Sequence, residues 1–208
     1  SRFGVLVATP FLRHLRMDLY EVISTYAAEL WDALVRLMAQ GDDILLQTPY
    51  IICNDKMYND LEALAETRQL RVLTNAVENG ANPSGCSDYL REKQNILSRG
   101  VDVYEVVCGQ SLHTKTILIG NDLSVVGSFN ADMRSAYLDT ELMLVIESEE
   151  VNAALREESG KYMGQSRLAL HDGGTEHGAR FEEMTLPWAK RALYTILSVV
   201  QRPIRHLL

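Results

Sequence analysis

Hydrophobic and polar positions along this chain follow two alternating rhythms. Between Asp18 and Gln40, apolar residues recur at Ile23, Tyr26, Ala27, Leu30, Trp31, Leu34, Val35 and Met38, the spacing of one helical face, and Gly41 ends the pattern. Residues 3–8 before it read as a short edge strand. Beyond it, short apolar runs alternate with helical patterns: strand 43–48, helix 55–68, strand 70–74, helix 87–98 and strand 101–107. Two β-branched runs, Thr116 to Ile119 and Leu123 to Val126, flank the turn signal Gly120-Asn121-Asp122 and predict a hairpin. A third run, Glu141 to Ile146, can lie beside it, and Glu149 to Met163 reads as a helix. Such alternation predicts an α/β protein, an α/β/α sandwich around a mixed, largely parallel sheet. Residues 1–163 are expected to form this single domain. Residues 164–208 are expected as a C-terminal extension, irregular and polar over 164–185.

The tail has its own pattern. From Leu186 to Leu208 it carries Lys190, Arg191, Arg202 and Arg205 and no acidic residue. Ala189, Ala192, Leu193, Ile196, Leu197 and Val200 share one helical face, and Pro203 stops the helix. Two readings follow. The helix lies in a membrane interface, or it packs on the domain core with its basic face solvated.

Composition narrows the partners. The 208 residues are 47% apolar and 23% charged, ordinary for a globular domain with a real core. A net charge of −8 argues against a large nucleic-acid surface, which needs clustered Lys and Arg. Cys53, Cys86 and Cys108 lack metal-ligand spacing, so no metal or cofactor is expected. An odd cysteine count without a signal peptide suggests reduced thiols in a cytoplasmic context. No apolar run is long enough to span a bilayer. The start at Ser1 suggests a fragment of a longer chain.

The candidate chemistry lies in His113-Thr-Lys115, Gly127-Ser128-Phe-Asn130 and Glu141. His113 and Lys115 are two apart, so on a strand they share one face at the open end of the hairpin. Gly127 closes the second strand at that end and is expected to let backbone N–H groups approach an anion. Ser128 and Asn130 add neutral donors, Lys115 a charge, and Glu141 a carboxylate able to hold a histidine in one tautomer. These are the parts for remaking a phosphodiester through a phosphohistidine, without metal.

The stretch resembles the His-x-Lys motif of the phospholipase D superfamily, and within it the bacterial cardiolipin synthases. Ile44-Leu-Leu-Gln-Thr48-Pro49-Tyr50, Val72-Leu73-Thr74-Asn75, Tyr89 to Val106, Arg134-Ser135 and Leu138-Asp139-Thr140-Glu141 extend the likeness over about residues 42 to 150. The resemblance implies a phospholipase D-like fold. It implies that His113 is the nucleophile or its acid–base partner, that Lys115, Ser128 and Asn130 bind phosphate, and that Glu141 orients His113. Tyr50, Tyr89 and Arg91 are possible lining, the latter two following a long loop at 76–86.

Two departures stand out. The family's acidic position, five after the Lys, is Gly120, expected to support the turn rather than the chemistry. The family needs two facing His-x-Lys motifs, and His14, His171, His177 and His206 have no Lys two residues on. The second half is therefore expected from a missing N-terminal region or from a second copy. The implied activity is phosphatidyl transfer from phosphatidylglycerol, peripheral on the cytoplasmic side of a bacterial membrane. The alternatives are a homodimeric phosphodiesterase or nuclease, and a catalytically silent interaction domain.

Overall fold

A computed structural model describes residues 2–8 and 19–207, with side chains described from 29 to 205. Ile23, Tyr26 and Ala27 of the first predicted stripe, and His14, fall outside the described side chains. The chain runs β1 (Arg2–Ala8), α1 (Leu19–Met38), β2 (Asp43–Gln47), β3 (Ile51–Ile52), α2 (Asp55–Ala65), β4 (Gln69–Asn75), α3 (Pro83–Leu97), β5 (Asp102–Val106) and the hairpin β6 (Thr116–Ile119) and β7 (Leu123–Gly127). Then come β8 (Ala131–Asp132), α4 (Met133–Tyr137), β9 (Glu141–Glu147), α5 (Glu149–Met163), β10 (Ser166–Ala169), β11 (Thr175–His177), α6 (Trp188–Val200) and a 3-10 segment, Arg202–Leu207.

One mixed sheet has the order β1-β9-β7-β6-β2-β4-β5-β10-β11. Its centre, β2-β4-β5, is parallel, because α2 and α3 carry the chain back between those strands. The flanks are antiparallel, since β6, β7 and β9 meander on one side and β10 and β11 form a hairpin on the other. Parallel pairing is thus confined to the centre.

Both faces of the central strands are covered, which is why they read as unbroken apolar runs. Ile44, Leu46, Val72, Val103, Ile117 and Ile119 pack with Trp31, Leu34 and Met38 of α1, Leu61 of α2 and Ile96 of α3. Leu45, Leu73, Val106 and Leu118 point the other way, toward Leu155 and Tyr162 of α5. A second sheet pairs β3 with β8.

Local chemistry shifts two boundaries from their expected places. The third helix begins at Pro83 rather than 87, because Asn82 caps it, its side chain accepting from Ser84 N and Gly85 N, and proline suits a first turn. The expected loop at 76–86 shortens accordingly. Residues 164–185 are not wholly irregular: β10 pairs with β5 and β11 with β10. No periodicity announces β10. The free edge of β5 recruits its backbone, and Arg167 adds an ion pair to Glu105 at 2.7 Å.

Gly120 sits in the β6–β7 turn at φ +53, a left-handed conformation that glycine adopts without penalty. Its N–H donates to Asp43 O at 2.9 Å, and its carbonyl accepts from Arg156 at 2.7 Å.

Candidate functional site

The parallel strands β2, β4 and β5 all end at one side of the molecule, where the chain enters β6, leaves β7 and enters β9. Open α/β sheets place ligands at the carboxyl ends of their parallel strands. His113 and Lys115 lie just before β6, four and two residues ahead of Ile117. The two-residue period therefore turns them toward the α1–α4 side of the sheet. The ladder reaches back to them, as Gly127 N donates to Lys115 O at 3.1 Å.

Lys115 Nζ is 2.9 Å from His113 Nδ1 and 3.4 Å from Nε2, and donates to His113 O at 2.9 Å. Burial lowers the Lys115 pKa, more than the nearby Glu141 and Asp132 charges raise it. His113 is exposed and Lys115 half-buried, so an imidazole and an ammonium meet incoming solute at one point.

Glu141 opens β9 and is buried. Its Oε2 accepts a very short hydrogen bond from Ser128 Oγ, and its Oε1 accepts from Ser135 Oγ at 2.6 Å. Ser128 Oγ in turn accepts from Leu142 N at 3.0 Å. Ser135 Oγ accepts from Asn130 N at 3.2 Å and Nδ2 at 3.3 Å. The carboxylate thus ties Ser128 directly, and Asn130 through Ser135, into one network.

Two expectations are corrected by this geometry. Among the described residues Glu141 accepts no hydrogen bond from His113. The serine hydroxyls of β7's end and of α4 lie nearer and occupy both of its oxygens. Gly127 does not free its N–H for an anion either, since that group is spent on Lys115 O. Glycine is needed there for packing: a Cβ would stand 2.0 Å from Leu142 O and 2.6 Å from Met143 Sδ.

The proposed lining residues divide. Tyr50 follows β2 at the site. Its hydroxyl pKa is raised by burial, then by the Asp132 charge. Tyr89 and Arg91 are engaged elsewhere. Tyr89 is buried, its hydroxyl donating to Glu105 at 2.8 Å, in a network with Lys93 and Arg167. Arg91 pairs with Asp88 and Glu92 and donates to Ser198 O of α6 at 3.0 Å. Their position after a loop suggested a site, but α3 turns them to the sheet's far strands and to α6.

Several residues with no predicted role hold the site together. Asn75, buried at the end of β4, donates to Pro49 O and Leu112 O, each at 2.8 Å, and accepts from Leu112 N at 2.7 Å. It pins the segment bearing His113 to the turn bearing Tyr50. Thr48 Oγ1 accepts from Ala131 N at 3.1 Å. A polar residue ending an apolar strand is the sequence signal that marks Asn75. For Ser135 it is the Asp132-x-x-Ser135 spacing of a helix start.

Asp132 caps α4, accepting from Ser135 N at 2.6 Å. Burial is the largest cause lifting its pKa, to about 6, with Glu141 and Asp139 adding to it. The folded chain therefore holds this proton more tightly than the unfolded chain. Stability from this group is present in acid and falls as pH rises from the usual carboxyl value toward 6. Asp132→Asn keeps a capping oxygen and removes the charge. It is expected to flatten that slope and to stabilise the domain at pH 7 by on the order of 1–2 kcal/mol. Urea midpoints of both proteins at pH 4.5 and pH 7 check this, and a lower midpoint for the variant at pH 7 contradicts it.

Known proteins share this framework. Over 137 residues the chain is 31% identical to cardiolipin synthase A of Cronobacter sakazakii, covering 65% of this chain and 27% of that relative. It spans about a quarter of the length of the curated relatives it matches. Among solved structures, phosphatidylserine synthase of Haemophilus influenzae superposes with TM-score 0.60 at 14% identity, over 86% of this chain and 45% of that one. The phospholipase D family member Nuc of Salmonella typhimurium superposes with TM-score 0.54 at 14% identity, over 81% and 99%. Residues 34–162, from α1 through α5 and including the whole His113–Glu141 cluster, match the family described as cardiolipin synthase, PLD-like domain. The chain is thus a cardiolipin synthase-like member of the phospholipase D superfamily.

Proposed function

We propose that this domain is the C-terminal half of a phosphatidyltransferase centre that acts on phosphatidylglycerol through a phosphohistidine. The observation that carries the reading is the exposed His113–Lys115 pair at the same sheet end as the Ser128–Glu141–Ser135–Asn130 network. One histidine attacks the lipid phosphorus and breaks its bond to the glycerol headgroup oxygen, while the facing histidine protonates that oxygen. The hydroxyl of a second lipid then displaces the histidine and restores it. Dividing the displacement in two is the purpose of the covalent step. Lys115 and the Asn130 amide stabilise charge on the phosphoryl oxygens, and Ser128 does so once its hydroxyl proton leaves Glu141. Among the described residues no helix is long and apolar enough to cross a membrane, and we place the domain peripherally on the cytoplasmic side.

The test is product analysis. The complete enzyme on phosphatidylglycerol vesicles is expected to release glycerol and form cardiolipin. Phosphatidic acid as the sole lipid product makes water the acceptor and replaces the synthase reading with a phospholipase one.

Glu141 acts in this scheme as a positioning residue, through Ser128 and Ser135. Glu141→Gln in the complete enzyme is expected to lower kcat on the order of 10- to 100-fold, less than losing the nucleophile. Unchanged kcat removes the role.

A second reading is a homodimeric phosphodiesterase in which two copies of His113 face one phosphate. It is favoured by the chain's 99% coverage of Nuc. The 45% coverage of the synthase from Haemophilus influenzae leaves length for a second such domain in one polypeptide and favours the half-enzyme.

A further inference from the structure

The helix α6 stands on the domain with its apolar side outward. Its inner stripe is Tyr194, Leu197 and Ser198, and only Tyr194 is fully buried, beside Cys86 of α3. The attachment is largely polar. Gln201 donates to Ser84 at 2.9 Å and accepts from Ser87 at 3.0 Å, and Arg205 pairs with buried Asp88 at 2.8 Å. Of the face read from the sequence as apolar, Leu197 packs on the core, while Leu193, Ile196 and Val200 are exposed. Trp188 is 84% exposed, Ile196 60% and Val200 64%, with Leu193, Val199 and Ile204 also exposed. An amphipathic helix ordinarily buries that face in its own domain. α6 thus packs on the domain through Tyr194 and Leu197 with its basic residues solvated, yet most of its apolar side is left uncovered among the described residues.

Charge identifies what covers it. Lys190 and Arg191 are exposed on either side of the buried Tyr194 stripe, Arg202 is exposed just beyond the helix, and no acidic residue lies between Leu186 and Leu208 in a chain of net charge −8. With the apolar face down, those long side chains sit at headgroup height, where cations gain from anionic lipid. Trp188 at the helix start is the aromatic that favours such an interface. Location agrees. The helix crosses the first turns of α3, where Gly85 abuts Tyr50 closely enough that a Cβ would lie 2.9 Å from its ring. The attachment of α6 therefore lies at the start of α3, beside Tyr50 and the sheet end that bears His113.

We propose that α6, with Ile204, is a docking surface for an anionic bilayer, lying in the interfacial plane and holding the His113 end of the domain against its lipid. The proposal deepens the phospholipid-transfer reading and rests on it. It makes the membrane contact a built part of this domain.

The experiment is flotation of the 208-residue chain with vesicles of phosphatidylglycerol and phosphatidylcholine, or of phosphatidylcholine alone. Trp31 is buried, so Trp188 reports the interface. The wild-type chain is expected to float with phosphatidylglycerol vesicles and to shift its fluorescence to the blue. I196E/V200E changes only exposed positions, and is expected to bind at least about tenfold more weakly with an unchanged circular dichroism spectrum. K190E/R191E is expected to lose the preference for anionic vesicles. A folded wild-type chain that stays with the aqueous fraction overturns the proposal, as does I196E/V200E floating like wild type. So does a lipid-free oligomer that I196E/V200E converts to monomer, since the face is then a protein interface. Turnover separates the parent reading: vesicle binding by a complete enzyme that makes no lipid product keeps the docking surface and refutes the transferase.

Discussion

His113→Asn is expected to abolish phosphatidyl transfer by the complete enzyme, with kcat falling on the order of 10⁴-fold or more. Asparagine keeps a polar side chain at an exposed position, so the fold has no reason to suffer. What is lost is the ring nitrogen that attacks phosphorus or protonates the leaving oxygen, and nothing beside it substitutes. Lys115 Nζ lies against the ring but has no lone pair to give while protonated. Quenching the reaction in alkaline denaturant, where the acid-labile P–N bond survives, with lipid labelled at phosphorus divides the two roles of His113. If His113 is the nucleophile, the variant forms no labelled protein. If it is the acid–base partner, the covalent species forms slowly and persists. Activity within tenfold of wild type removes His113 from the mechanism altogether.

The isolated 208-residue chain is expected to show no measurable turnover of phosphatidylglycerol while monomeric. A phosphohistidine path needs a proton for the departing oxygen at the moment the bond breaks. Among the described side chains the other histidines are His171 and His177. His171 is bound to Asp102 at 2.7 Å at the far end of β5, and His177 is stacked on Phe181. Neither stands near His113. Supplying the missing histidine on the same polypeptide converts a second-order encounter into a preorganised site, an advantage worth several orders of magnitude in rate. Turnover measured against chain concentration, with molecular mass determined in the same buffer, is the check. Appreciable activity in a verified monomer refutes the half-site. Activity rising with the square of concentration transfers support to the homodimer.

The residues proposed to carry chemistry were legible because their signals are local. Two-residue spacing put His113 and Lys115 on one face before any partner strand was known, and Gly120-Asn121-Asp122 located the hairpin. The central strands were visible as apolar runs because both of their faces are buried. Asn75 and Ser135 were harder. A buried amide at a strand end becomes meaningful only once Pro49 and Leu112 are folded around it.

By itself, the sequence determined the helix–strand alternation, a mixed sheet with parallel strands and the grouping of His113, Lys115, Ser128, Asn130 and Glu141. Each follows from periodicity, turn chemistry or motif spacing within a few dozen residues. Tertiary structure alone decided that Glu141 holds two serines instead of His113, because competition among acceptors is settled by distance across strands. It alone decided that Tyr89 and Arg91 serve ion-pair networks, and that β10 joins the sheet through the open edge of β5. Periodicity likewise shows that α6 has an apolar face. Its direction was fixed by Gln201, Tyr194 and Arg205 anchoring the opposite side to α3, contacts more than a hundred residues apart in the chain.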